Sequence, residues 1–298
     1  MSREKIIVTG GAGFIGSHLA KKLVERDNDV HVVDDLSFGD RARVPEAAVL
    51  HELDIRETGI LTEVMRGARV VYHLAAISSV ILSIEDPVRV SSVNVLGTLS
   101  VLDAARRAGV RRVVYSSSSA VYGDQLVEAL REDLPAAPQS PYGLSKYVGE
   151  LSARMFSELY GLETACLRYF NVYGAGQDPN GPYAAVIARF AEARKAGRAL
   201  QVVGDGDQTR DFIMVDDVVL ANIAAARATH VGKGEAFNIG TGVSTRIVNL
   251  ARLISANIEF VPKRQEIRNS KADIARARER LGFEFTVALD EGLKRMGL

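Results

Sequence analysis

The sequence predicts an α/β fold in which a doubly wound parallel sheet is followed by a smaller mixed α/β region. Short apolar runs alternate with helical segments up to residue 169, which is typical of a parallel sheet with helices on both faces. A glycine-rich turn joins the first strand to the first helix. After Tyr173 the pattern changes to a Gly/Pro-rich loop at 174–183. We therefore expect one domain over residues 1–173 and a second over 174–298.

The composition is that of an ordinary globular protein of 298 residues, with 47% hydrophobic and 25% charged residues. The 37 basic residues balance the 37 acidic ones, so bulk charge gives no attraction to nucleic acid or to an anionic membrane. No apolar run approaches the ~18 residues that span a bilayer, and there is no room for a signal peptide, so a cytoplasmic protein is expected. The single cysteine, Cys166, is expected in the core. Arginine in preference to lysine suggests a thermophile, and no metal site is expected.

The first strand, Lys5 to Thr9, leads directly into a glycine turn and a helix at 17–26. Glycines permit the tight turn and let backbone amides approach a pyrophosphate, while the helix N-terminus adds donors and partial positive charge. This order of strand, glycine turn and helix predicts a Rossmann-type dinucleotide site. The residues expected to contact the cofactor here are Gly10, Gly13, Phe14, Ile15 and Gly16.

An acidic pair, Asp34 and Asp35, ends the second predicted strand. A carboxylate at this place accepts hydrogen bonds from the ribose hydroxyls and repels a 2′-phosphate, so NAD is favoured over NADP. The alternative is a structural turn with a chance surface aspartate.

Further strands and helices follow in alternation. Strands are predicted at 48–54, 69–76, 111–118 and 164–169, and helices at 87–108 and 141–160. Asp54 and Ile55 follow the third strand and are expected at the adenine. Leu74, Ala75 and Ala76 end the fourth strand in small side chains, as close cofactor approach requires. In the second region a helix near 184–196 and a strand at 200–203 are predicted.

Serines end the fifth predicted strand, and a tyrosine and a lysine follow on the next helix. The run of serines from Ser116 lies where open α/β sheets bind ligands. Tyr142 and Lys146 lie one turn apart on one helical face. A lysine ammonium and a cationic nicotinamide beside a tyrosine lower its pKa from about 10 and favour the phenolate. The trio suits removal of an alcohol proton while hydride leaves the same carbon; the alternative is an ordinary helix pair beside a polar strand end.

Other motifs continue along the whole chain. In order they are TGGAGFIG at 9–16, DDLS at 34–37, NVLGT at 94–98, SSSSAVYG at 116–123, YGLSK at 142–146, LRYFNVYG at 167–174, RDF at 210–212 and FNIGTG at 237–242. Together they resemble the extended short-chain dehydrogenase/reductases, and within them the NAD-dependent epimerase/dehydratase family. The resemblance implies that the chain returns to the nucleotide-binding sheet at about 214–240, and that a homodimer forms through the helices at 87–108 and 141–160.

The resemblance also implies residue roles by matching position. Tyr142 would be the base, Lys146 would lower its pKa and hold the nicotinamide ribose, and Ser118 would hydrogen-bond the sugar O4. Further cofactor contacts are implied at Leu36, Ser37, Asn94, Ser116, Ser117 and Tyr169. Contacts to a UDP-sugar are implied at Ser118, Tyr142, Asn171, Val186, Gln201, Val203, Arg210 and Arg264. The alternative for Arg210 is a surface ion pair with Asp207 or Asp211.

The implied reaction interconverts UDP-galactose and UDP-glucose at C4 through a 4-keto sugar, with NAD retained. Related dehydratases and decarboxylases carry acidic residues after the active-site serine or threonine, where this chain has Ser119 and Ala120. Small Ser270 leaves UDP-GlcNAc/UDP-GalNAc epimerisation open, and Lys263, Arg264 and Arg268 are all candidates for the diphosphate. The same motifs are also compatible with a dehydratase, a 4-keto reductase or a non-catalytic NAD-binding regulator.

Overall fold

The computed structural model describes residues 3–179, 185–263 and 267–298. The strands are β1 (Lys5–Thr9), β2 (Asp29–Asp34), β3 (Val49–Glu52), β4 (Val70–His73), β5 (Arg112–Ser118), β6 (Glu163–Tyr169), β7 (Asn171–Tyr173), β8 (Leu200–Val203), β9 (Thr209–Arg210), β10 (Phe212–Met214), β11 (Lys233–Ile239), β12 (Thr245–Arg246) and β13 (Ile258–Val261). The α-helices are α1 (Phe14–Glu25), α2 (Thr58–Met65), α3 (Val80–Glu85), α4 (Pro87–Ser91), α5 (Gly97–Ala108), α6 (Pro141–Tyr160), α7 (Val186–Lys195), α8 (Val215–Arg227), α9 (Ile247–Ile254), α10 (Ala275–Leu281) and α11 (Leu289–Arg295).

The predicted α/β fold is confirmed. Within the described ranges the central sheet has seven parallel strands in the order β11-β6-β5-β4-β1-β2-β3. The order reverses between β1 and β4, which opens a crevice at the carboxyl ends of these two strands.

Each face of the sheet carries its own core, because successive side chains of a strand point to opposite faces. On β1, Ile6 and Val8 pack with α1, α8 and α10, whereas Ile7 packs with α2, α5 and α6. All three are at most 3% exposed. A strand buried on both faces must be apolar throughout, which explains why β1 reads as an uninterrupted apolar run.

Helix α6 has the predicted bounds, 141–160. The side chain of Ser140 accepts a hydrogen bond from the Gly143 amide at 3.0 Å and caps the N-terminus. Pro141 occupies the first turn, where its missing N–H costs nothing. Gly161, with φ of 71°, ends the helix in the left-handed conformation. These local signals place Tyr142 and Lys146 in the first two turns.

The predicted helix 87–108 is wrong in one respect: α4 and α5 are separated by a π-helical turn at Ser92–Leu96. Asn94 lies inside this turn, and its carbonyl accepts the hydroxyl of Thr98 at 2.6 Å. The predicted strands 48–54 and 69–76 are also too long, since β3 is Val49–Glu52 and β4 is Val70–His73. After β4 the chain passes so close to Gly10 that a Cβ there would lie 2.6 Å from the Ala75 amide nitrogen.

A separate core fills the C-terminal region, where β8 pairs with β13 and both α7 and α9 contact β8. Phe190, Val202 and Leu250 belong to this core. The chain then rejoins the first region, because β11 pairs with β6 and α8 packs beside α1. The domain division after residue 173 stays a prediction.

Candidate active site

A cleft of about 640 Å³ lies at the carboxyl ends of the central strands. It brings together residues from both ends of the first region. The predicted residues that line it are Gly10, Gly13, Phe14, Ile15, Gly16, Asp34, Asp35, Ser37, Asp54, Ile55, Leu74, Ala75, Ala76, Ser116, Ser117, Ser118, Tyr142, Lys146 and Tyr169. The catalytic residues chosen from the sequence, and all the chosen cofactor residues except Leu36 and Asn94, therefore share one cavity.

The glycine turn fits a dinucleotide because its backbone is too close-packed for side chains. Gly10 has φ of 72°, and a Cβ there would lie 2.6 Å from the Ala75 amide nitrogen. A Cβ on Gly16 would lie 2.1 Å from the Gly10 carbonyl oxygen. The turn thus leaves the N-terminus of α1 open to a pyrophosphate, as a Rossmann-type site requires.

Asp34 is fixed at the far end of the turn. Its carboxylate accepts the backbone amides of Ala12 and Leu36, each at 3.0 Å. Burial raises the pKa of Asp34, and the two amide hydrogen bonds oppose that rise. A carboxylate oxygen has a second lone pair, so Asp34 can still accept a ribose hydroxyl.

Two of the predicted cofactor residues lie outside the cleft lining. Leu36 adopts φ of 57° and gives its amide to Asp34. Asn94 lies behind the wall, where its side chain accepts the Ile77 amide at 2.8 Å and donates to the Ile77 carbonyl at 3.0 Å. Its amide also reaches Ser145 on α6 at 3.1 Å. In this structure Asn94 supports a wall residue, and its own contact with the cofactor stays a prediction.

The candidate catalytic residues meet at the end of β5. The Lys146 ammonium donates to the Ser116 carbonyl at 2.7 Å and lies 6.0 Å from the centre of the Tyr142 ring. A hydrogen bond with Ser118 favours the Tyr142 phenolate. Tyr169 also lines the cleft, and its hydroxyl donates to Asn222 at 2.9 Å.

Two effects on Tyr142 oppose each other. Burial raises the pKa of Tyr142, and the hydrogen bond with Ser118 lowers it. The lowering expected from Lys146 together with the nicotinamide stays a prediction. Burial also lowers the pKa of Lys146 to about 7, against the negative charge of Glu150. When bound, a cation beside the Tyr142 ring, such as the nicotinamide of NAD⁺, would favour the phenolate.

The predicted substrate residues beyond β6 that the structure describes are not part of the cleft lining. Val186 begins α7, Gln201 and Val203 lie on β8, and Arg264 lies outside the described residues. Asn171 donates to the Asp211 carbonyl at 3.0 Å, and Arg210 donates to the Thr209 carbonyl at 2.8 Å. Their contacts with a sugar nucleotide stay predictions.

The alternative prediction is a surface ion pair between Arg210 and Asp207 or Asp211, but both carboxylates have other partners. The Asp207 carboxylate lies 3.6 Å from Arg246. Asp211 is fully buried, and its carboxylate accepts the amides of Thr241 and Ala272 at 2.8 and 3.0 Å. Asp211 thus joins two loops instead of forming a surface pair.

Sequence reasoning missed part of the cleft lining. The missed residues are Phe38, Gly39, Arg43, Leu53, Arg56, Ile77, Ser79, Leu82, Arg89, Val93, Phe170, Val172 and Asp178. Most come from turns and from α3 to α4, which no local motif marks. The guanidinium of Arg89 lies 5.7 Å from the Phe38 ring centre, a contact between distant segments that spacing cannot reveal.

Comparison with known proteins places this site in a family. The model of the NAD-dependent epimerase/dehydratase family matches residues 6–240. UDP-glucose 4-epimerase of Mycolicibacterium smegmatis is 40% identical over 97% of this chain and 96% of its own length.

Two solved structures are also similar over nearly the whole chain. UDP-glucose 4-epimerase of Thermotoga maritima, solved with UDP-glucose, has a TM-score of 0.93 and 38% identity, covering 98% of this chain and 96% of that one. UDP-N-acetylglucosamine 4-epimerase of Methanobrevibacter ruminantium, solved with UDP-N-acetylmuramic acid, has a TM-score of 0.94 and 35% identity, covering 99% and 97%.

Among the described residues, no helix has the length and apolar character needed to cross a membrane. The glycine turn and Asp34 fit NAD, and the family model agrees with them. The chain therefore belongs to the NAD-dependent epimerase/dehydratase family of the short-chain dehydrogenase/reductase superfamily, and its cofactor is NAD.

Proposed function

We propose that the protein interconverts UDP-galactose and UDP-glucose by epimerisation at C4. The observation that carries the proposal is the convergence of Ser118, Tyr142 and Lys146 on the wall of the NAD cleft. Support also comes from similarity to UDP-glucose 4-epimerases over nearly the full chain.

The chain's own groups move the proton in this reaction. Ser118 hydrogen-bonds the C4 hydroxyl and Tyr142, so the proton passes from the sugar to the phenolate. The Lys146 ammonium stabilises the phenolate charge and lies against the Ser116 carbonyl. When bound, NAD supplies a hydride acceptor that can also return the hydride. Return to the other face of the 4-keto sugar, with reprotonation by Tyr142, gives the C4 epimer.

The residues after Ser118 argue against water loss. Ser119 and Ala120 form a short 3-10 turn at Ser119–Val121 and carry no carboxylate. A dehydratase needs an acid or base for the C5 proton and the departing hydroxyl. This difference favours epimerisation over dehydration or decarboxylation.

A second candidate is epimerisation of UDP-GlcNAc and UDP-GalNAc. Ser270 is buried, and its backbone amide donates to the carbonyl of Thr209, the residue before Arg210, at 3.2 Å. A small residue there leaves room for an N-acetyl group at C2. The relative from M. ruminantium is named for that reaction.

We propose that the protein is a homodimer. Leu144, Leu151, Met155 and Leu159 follow one face of α6 and are 43–65% exposed. An apolar stripe of this kind on a surface helix marks an association surface. A mass measurement by light scattering tests this directly.

The test of the reaction uses purified protein and UDP-galactose without added cofactor, followed by proton NMR. We expect an equilibrium mixture of UDP-galactose and UDP-glucose. Tyr142→Phe should retain NAD and lose turnover by roughly 10²-fold or more, the scale of a lost acid/base group. Near-normal turnover in that variant would refute the role of Tyr142, and a stable keto product would favour a dehydratase or reductase. UDP-GlcNAc is the second substrate to test.

A further inference from the structure

A buried carboxylate lies one turn beyond Lys146 on α6. Glu150 is 6% exposed and Lys146 is 3% exposed. Consecutive residues of β5 hold the two side chains: the Ser116 carbonyl accepts from Lys146 at 2.7 Å, and the Ser117 hydroxyl donates to Glu150 at 2.5 Å. The strand end therefore fixes the helix at two successive turns.

Arg168 on β6 completes the attachment. Its Nε donates to Glu150 Oε1 at 2.8 Å and its Nη2 donates to Oε2 at 2.7 Å. The guanidinium also lies 4.7 Å from the Tyr122 ring centre. A bidentate arginine–carboxylate pair of this kind has a fixed geometry, so both oxygens of Glu150 are held in place.

Burial of this pair is costly, because both ions leave water. A buried ion pair is therefore weak evidence of stability. This pair lies one helical turn from Lys146. Lys146 is a cation enclosed in the same layer, and Glu150 provides a nearby negative charge that favours its protonated form. The titratable groups that interact with Lys146 are Tyr142 and Glu150 on α6, Tyr115 on β5 and His73 on β4. Arg168 on β6 lies on the far side of Glu150, with which it pairs.

We propose that Glu150, held by Arg168 and Ser117, is a positioning residue that keeps Lys146 protonated and fixes α6 against β5. The inference rests on the proposed function for its consequence, since protonated Lys146 is the form that stabilises the Tyr142 phenolate. Glu150 is not among the described residues that line the cleft.

The first test measures the pH dependence of epimerisation by the NAD-loaded enzyme. The variant Glu150→Gln with Arg168→Met removes both charges and leaves no buried ion unpaired. We expect the alkaline limb of kcat to move to lower pH by less than the roughly one unit that a lost lone opposite charge gives, because the positive charge of Arg168 is removed together with the negative charge of Glu150. The matched control is Glu163→Gln, which removes the carboxylate of the Arg112–Glu163 pair at the other end of β5 and β6. It should leave the pH profile unchanged.

The second test requires no sugar chemistry. The pH dependence of the unfolding free energy is compared between Lys146 and Lys146→Met chains, in the native background and in the double-variant background. The folded pKa of Lys146, about 7, is below its ordinary value of about 10.4. The unfolded chain therefore binds more protons between these values, and stability rises with pH across that window.

Without Glu150 the folded pKa falls further, so the rise linked to Lys146 should begin at lower pH. An equal onset in both backgrounds overturns the inference even if the protein epimerises UDP-galactose. A lowered onset supports it even if another sugar nucleotide is the substrate. Glu150→Gln alone keeps the side-chain shape and the Ser117 contact but leaves the Arg168 charge unpaired. It should therefore lower the onset further than the double variant does.

Discussion

Strands β5 and β6 carry a buried arginine paired with a glutamate at each of their two ends. At the amino ends the pair is Arg112 and Glu163, 2.7 Å apart; at the carboxyl ends it is Arg168 and Glu150, also 2.7 Å apart. The chemical groups are the same. Their surroundings are not.

At the amino ends, Arg112 caps the C-terminal end of α8. Arg112 donates to the carbonyls of Ala225, Ala228 and Val231 at 2.7, 2.8 and 2.6 Å, where α8 ends. Its partner Glu163 is 39% exposed, so water screens the carboxylate. At the carboxyl end the glutamate is buried and lies beside Lys146. At the amino ends the buried arginine donates hydrogen bonds to backbone carbonyls at the end of α8. At the carboxyl ends the buried arginine holds the Glu150 carboxylate in place beside the candidate active site.

The largest expected effect that sharpens this comparison is on stability at the amino end. Arg112→Met leaves three carbonyls without their donor, and we expect a loss of about 3–5 kcal/mol of unfolding free energy. Urea denaturation measures it. The pH profile of the folded enzyme should not change, since Arg112 is remote from Lys146. A shifted profile would contradict the separation between the two ends.

The next effect is on the unfolding free energy at acidic pH and comes from His73, at the carboxyl end of β4. It is of similar or smaller size. The Thr98 hydroxyl donates to the Asn94 carbonyl, so it accepts from His73 Nε2 at 2.9 Å, while Thr9 donates to Nδ1 at 2.8 Å. Both nitrogens of the neutral ring are thus used. Burial lowers the pKa of His73 to about 3.

The sign of this effect follows from the lowered pKa. Between about pH 3 and 6.5 the unfolded chain binds a proton that the folded chain does not, so stability falls as the pH drops through that window. We expect a loss of up to about 4 kcal/mol, measured by urea denaturation at several pH values. His73→Gln should flatten that dependence. An equally steep acid dependence in the variant would show that another group is responsible.

The smallest expected effect is that of Glu163→Gln. Because this carboxylate is more than a third exposed, its loss should cost about 1 kcal/mol or less, in contrast with Arg112→Met. A large loss of stability in thermal or urea unfolding would mean that the two ends of β5 and β6 are less different than their burial indicates.

Much of the fold and of the cleft could be predicted because the signals are local. The glycine turn, the capping of α6 and the Tyr142–Lys146 spacing lie within a few residues of one another. The Glu150–Arg168 pair could not be predicted, because it joins two elements through tertiary packing. The π-helical turn at Ser92–Leu96 was missed for a similar reason: Asn94 bonds to Ile77, a distant partner. The raised pKa of Tyr142 depends on burial, which sequence spacing does not measure.

The late return of the chain to its sheet has a consequence for synthesis. β11 covers the edge of β6, yet about seventy residues separate Tyr169 from Ile239. At roughly 5–20 residues per second, the ribosome takes about 4–14 s to proceed from the end of β6 to the end of its neighbour β11. During that interval the buried backbone of β6 is an open edge, the kind of surface that pairs with other chains. Nascent chains of this protein are therefore most susceptible to aggregation and to chaperone binding while the ribosome is translating the C-terminal region.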